Sequence, residues 1–180
     1  NFRDAILEVT ENPLVLGGDG FTVPTNAGNI RALTHNANLN SQLGQGQLLI
    51  GTRKAWYTLS VPVSRADWIN ASGQNQPIQT VVQLENGPVN DRSIVKVSGD
   101  IFHQSLEPGI RSIFASVRNF SQWGNREISS NEQRVLSFVD RSLLHLSTGI
   151  FFGNRLLESS LPRQTEQGVV HDALIPMDVV

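Results

Sequence analysis

The amino-acid sequence predicts one α+β domain, with a β-hairpin and an antiparallel sheet first and two α-helices last. Three observations lead there. A central run alternates apolar and polar residues with a period of two, and turn residues punctuate the chain before it. Beyond Ser129 the apolar residues instead recur at three- and four-residue spacings. Strands followed by helices suit an α+β fold, whereas a nucleotide-binding sheet alternates the two.

Taken in order, Ala5 to Thr10 suits a short strand, Asn12-Pro13 and Gly17-Gly18-Asp19-Gly20 mark turns, and Phe21 to Val23 returns before Pro24. Residues 1–24 therefore read as an N-terminal hairpin. The polar stretch that follows holds one short strand around Ile30 to Thr34. The sheet is expected within residues 46–121. Leu48 to Thr52 leads into Lys54 to Val63, where Ala55, Tyr57, Leu59, Val61 and Val63 share one face. Lys54, Trp56, Thr58, Ser60 and Pro62 share the other. Ile78 to Glu85 and Arg92 to Phe102 read as further strands, and Ile110 to Ser121 as a β-like run that also admits an amphipathic helix.

The helical hairpin is expected over residues 129–161. Ser129 and Glu132 have the spacing of a capping box, and Val135, Leu136, Val139, Leu143 and Leu146 form one apolar stripe behind it. Thr148-Gly149 interrupts this first helix. A second runs from Ile150 to Ser160, carrying Phe151, Leu156 and Leu157, and Pro162 stops it. The tail, residues 162–180, is expected as an extended arm.

With 180 residues the chain is long enough for one real core. Its 14 basic and 16 acidic residues leave a net charge of −2, so it lacks the global basic excess of a dedicated nucleic-acid binder, and any RNA contact must be a local patch. Lys54 and Lys96 are the only lysines; the other cations are arginines, whose planar fork suits phosphates and carboxylates. The absence of cysteine excludes disulfides, thiolate metal sites and Cys nucleophiles, and fits a reducing cytoplasm. No apolar run approaches a membrane span of ~20 residues, and Asn1-Phe2-Arg3-Asp4 reads as neither a signal nor a transit peptide.

Catalytic signals are missing. His35, His103, His145 and His171 are too far apart in sequence for a metal motif, and there is no phosphate loop or nucleophile elbow. His145, among leucines, reads as a packing or capping residue. No metal, cofactor or catalytic residue is expected. What stands out is the polar-basic sheet face, where Lys54, Trp56, Thr58 and Ser60 combine charge, stacking and hydroxyls. Such a face is either an ordinary solvated surface or a platform for a flexible polymer such as RNA or a glycan.

In its C-terminal half the chain resembles the coat proteins of single-stranded RNA bacteriophages. The segment Ser129-Ser130-Asn131-Glu132-Gln133-Arg134, with Phe138-Val139 and Leu143-Leu144, is similar to the polar cap and apolar helix after that family's last strand. Ile150 to Leu161 resembles its second helix, Lys54 to Ser64 one of its alternating strands, and Ala5 to Val23 its opening hairpin. The chain is longer than typical members, and no single motif is diagnostic.

The resemblance implies an intertwined homodimer, in which the helices of each subunit reach over the sheet of its mate. Val135, Val139, Leu143, Leu146 and Phe151 would line that interface. It further implies assembly into an icosahedral shell in the bacterial host cytoplasm, a virion location, and single-stranded RNA bound on the inner sheet face. By position and residue type that role falls to Arg53, Lys54, Thr58, Ser60, Lys96, Ser98 and Arg118. Many weak contacts across a shell would let a near-neutral subunit hold RNA. The rival readings are a β-rich glycan-binding or attachment module, with Trp56, Trp68 or Trp123 exposed at a sugar site, and, less supported, a small hydrolase whose carboxylates converge on folding.

Overall fold

A computed structural model describes residues 23, 25–35, 47–59, 78–83, 86–107, 109–113, 136, 139–159 and 162–178. Among them, apart from two 3-10 turns at Thr25–Ala27 and Leu144–Leu146 and the helical residues Ile113 and Leu136, every regular element is a strand. The first four, β1 (Ile30–His35), β2 (Leu48–Thr52), β3 (Ala55–Leu59) and β4 (Ile78–Gln83), pair in chain order as an antiparallel sheet. A second sheet joins β5 (Val95–Val97), β6 (Asp100–Gln104) and β7 (Ile110–Ser112).

The first sheet is buried on both faces at its centre. On one face Leu49 and Trp56 pack with Ile101 of β6 and with Ile113. On the other, Ile50, Ala55 and Tyr57 pack with Ala27, beside Val23. The expected solvent-facing row is thereby corrected: Trp56 is 1% exposed and Thr58 8%. Period-two alternation identifies two faces but does not say which is covered, and here the β5–β6–β7 sheet covers the one carrying Trp56.

The largest correction concerns the C-terminal third. The expected helical hairpin over 129–161, and with it the α+β fold class and the intertwined dimer built on its helices, is not what the chain forms. Residues 140–143 form turns that lead into a 3-10 helix at Leu144–Leu146. Where the second helix was expected, β8 (Thr148–Phe152) and β9 (Arg155–Ser159) make an antiparallel hairpin. Its two-residue loop, Gly153-Asn154, has φ of 58° and 61°. Positive φ at both positions is the geometry of a type I′ turn, whose twist matches the flanking strands. A glycine and an asparagine adopt it at little cost, and it defines this hairpin.

The expected arm is also strand. β10 (Pro162–Thr165) and β11 (Gly168–His171) form a hairpin, and β12 (Ile175–Asp178) pairs with β9 to give the sheet order β12-β9-β8. Two residues of the expected stripe, Leu136 and Val139, are buried in an internal core with Leu144, Val89 and Ile175. Leu143 and Leu146 are half-buried. The N-terminal hairpin, Val135 and the first residues of the expected helix lie outside the described residues.

Candidate functional site: a basic cleft

The turn between β2 and β3 carries Arg53 and Lys54 outward, and its shape follows from local chemistry. The buried Thr52 hydroxyl donates to the Ala55 carbonyl at 2.9 Å and accepts from the Ala55 amide at 3.1 Å, closing the turn. Flanking segments then clasp it. The Arg53 amide donates to Asn29 O, the Lys54 amide to Ala27 O, and the Asn86 amide to Lys54 O. The clasp requires glycine at two places. Gly28 has φ +81°, and a Cβ on Gly87 would collide with the Thr52 carbonyl.

A second wall comes from residues 140–146. Asp140 Oδ1 accepts from the Ser142 amide at 2.9 Å and from its hydroxyl at 2.7 Å. The Ser142 hydroxyl, then its amide, hold the Asp140 carboxyl below its usual pKa. The acid is thus turned onto its own loop. Asn90 anchors the wall: its side-chain amide donates to the carbonyls of His145 (2.5 Å) and Ser147 (2.8 Å), while Oδ1 accepts from the Ser93 amide (2.7 Å).

Between these parts lies a cleft with two lobes. The inner lobe, about 230 Å³, is lined by Arg31, Arg53, Arg141, Ser142 and His145 over an apolar floor of Pro88, Val89 and Leu106. The outer lobe, about 500 Å³, shares Arg53, Leu106, Arg141 and Ser142 and adds Lys54 and Glu107. Glu107 is paired with the buried Arg111 at 3.6 Å. Among the described residues no carboxylate pairs with Arg31, Arg53 or Arg141. Three exposed guanidiniums converging in this way make a local positive field on a chain whose net charge is −2.

Of the residues expected to touch RNA, the cleft gathers Arg53 and Lys54. Lys96 is exposed on β5, with Nζ 3.4 Å from His35 Nδ1, and Ser98 is exposed in the β5–β6 turn. Neither lines the cleft. Thr58 is buried, which removes it from any surface site, and Ser60 and Arg118 lie outside the described residues. Of the expected interface residues, Phe151 is exposed on β8 while Val139 is core. Reading the sequence missed Arg31, Arg141 and His145 as site residues; the one available signal was the predominance of arginine over lysine.

The other polar cluster is interior. His103 on β6 is 1% exposed and stacks edge-on against Trp56. Its Nε2 lies 3.0 Å from Asn86 O and 3.4 Å from Trp56 Nε1. A carbonyl can only accept and an indole N–H only donate, so Nε2 cannot serve both. The shorter contact makes Nε2 the protonated nitrogen, donating to Asn86 O, and leaves Nδ1 buried without a partner. Burial holds the imidazole pKa down to about 4. A neutral, enclosed histidine of this kind bolts two sheets together. Among the described residues no group of three His, Asp or Glu side chains is placed to hold a metal ion. No protein-family model, curated protein or solved structure matches the chain.

Proposed function

We propose that the chain is a non-enzymatic structural subunit of coat type that binds single-stranded RNA through the basic cleft and self-associates. The observation carrying this reading is that Arg31, Arg53 and Arg141 line one cleft, none of them ion-paired with a carboxylate among the described residues, with Lys54 at the cleft mouth. Phosphates are the counter-ions that several arginine forks match best, and the apolar floor suits a sugar or base. In this reading RNA meets loops at the edge of the first sheet, not a sheet face.

Self-association is supported by β8. Ile150 and Phe152 are 59% and 71% exposed, and Phe151, on the opposite face, is 41% exposed. β8 is the edge of its sheet and carries no charged side chain. In its register with β9 the backbone groups of Gly149 and Phe151 point outward, and the Gly149 amide is taken by Arg92 O at 2.9 Å. An uncharged apolar edge with Phe151 outward is self-complementary about a two-fold axis, so a second copy is the occupant it fits. Coat assembly in the host cytoplasm and a virion location belong to the same proposal. Dimerisation through exchanged helices does not.

The test is electron microscopy of the purified chain expressed in bacteria, together with its nuclease-protected RNA content. Regular particles holding RNA are the expected result. A monomer at all concentrations, free of nucleic acid, would overturn the proposal.

A further inference from the structure

We infer that the inner lobe of the cleft is a phosphomonoester site, taking the terminal phosphate of a nucleotide or of an RNA end rather than a bridging phosphodiester. The inference rests on the RNA-binding reading above and makes it specific. Charge is the first argument. A bridging phosphate offers one negative charge and two free oxygens, whereas a terminal phosphate carries close to two charges and three strong acceptor oxygens. Arg31, Arg53 and Arg141 supply three guanidiniums to one small volume, and no carboxylate among the described residues lines that lobe. Such a set matches the denser charge.

Shape is the second argument. The lobe holds about 230 Å³, and Pro88 and Val89 at its floor are buried. That is room for roughly seven or eight waters' worth of ligand, the scale of a phosphate with a pentose. The outer lobe, with Lys54 and Glu107, lies where the remainder of the nucleotide would continue.

The third argument is His145. Its Nδ1 lies 2.8 Å from the Ser142 carbonyl, so Nδ1 carries the proton in the neutral ring. Nε2 is then the atom available to a ligand. It accepts from a singly protonated terminal phosphate. A bridging diester has no such proton to give.

Binding to the full chain is measured with one oligoribonucleotide in four forms: 5′-phosphorylated, 3′-phosphorylated, unphosphorylated, and unphosphorylated but one residue longer. The last adds a charge as a diester. One terminal phosphate is expected to tighten binding about tenfold or more over both unphosphorylated forms, the size of a charge-assisted hydrogen-bond set. Arg141→Gln and, separately, Arg31→Gln should each remove most of that gain. The corresponding nucleoside monophosphate is the remaining arm: if it binds as tightly as the oligomer, a free nucleotide is the source, and if more weakly, an RNA end is. Equal binding of phosphorylated and lengthened oligomers would overturn the monoester site while leaving RNA binding intact. No binding of any oligomer would overturn both.

Discussion

The rings of Trp56 and His103 meet edge to face, 5.2 Å between centroids and 74° between planes. They join the four-stranded sheet to the β5–β6–β7 sheet. Trp56 comes from β3 and His103 from β6, and the imidazole also reaches the carbonyl of Asn86, beside the clasp that shapes the Arg53 turn. The same contact therefore supports both the core and the cleft.

Acid should weaken this joint. His103 has an ordinary pKa of 6.5 unfolded and about 4 when buried, so between those values the unfolded chain binds a proton that the folded chain refuses. The stabilisation is complete above pH 6.5, falls with pH, and is lost by about pH 4, on the order of 3 kcal/mol. Chemical denaturation at pH 7 and pH 4.5 measures it. His103→Gln should be less stable at pH 7 and show a smaller acid loss. An unchanged acid loss would place the sensitivity elsewhere.

Gly87→Ala should disturb the Arg53 turn directly. The added Cβ meets the Thr52 carbonyl, a backbone atom that cannot swing aside. The expected cost is about 1–3 kcal/mol, the range for overpacking a close contact. Thermal unfolding and RNA affinity should fall together; a variant as stable as the parent would show that the clasp is loose.

Asn90→Ala removes two hydrogen bonds to the His145 wall and a third, from the Ser93 amide, that orients the Asn90 side chain. Two carbonyls and one amide lose their partner, and the expected destabilisation is about 1–3 kcal/mol. RNA binding should weaken although Asn90 lies behind the ligand. Full affinity in a destabilised protein would mean that the wall keeps its shape without this anchor.

Phe151→Asp combined with Phe152→Asp should abolish self-association and spare the fold, because both side chains are exposed. Sedimentation velocity with a thermal melt separates the two effects. Assemblies of normal size from a normally folded double variant would exclude the β8 edge as the contact.

How much was legible in the sequence depended on the range of the interactions. β1 to β4 follow from alternation and turn residues near in sequence, and they fall where expected. The β8–β9 hairpin left its signal in Gly153-Asn154, which the sequence reading passed over as part of a helix, and upstream the three- and four-residue spacing of Val135, Leu136, Val139, Leu143 and Leu146 imitated a helical stripe. Of that stripe, Leu136 and Val139 pack with Val89 and Ile175. Trp56 was placed on the correct face and given the wrong environment, because a second sheet covers it. The cleft was half legible. Arg53 and Lys54 are adjacent in sequence, but Arg31, Arg141 and His145 reach them only through folding.

Phosphate held jointly by Arg31, Arg53 and Arg141 is the claim on which the proposed function stands. The direct measurement is RNA affinity against salt for the parent and for the variant with all three changed to glutamine. The slope of log affinity on log salt should fall in magnitude by about 0.7 for each single-stranded phosphate that the variant no longer neutralises, and so by no more than about two for three arginines. An unchanged slope and affinity in a folded variant would contradict the account, since the RNA would then be held elsewhere.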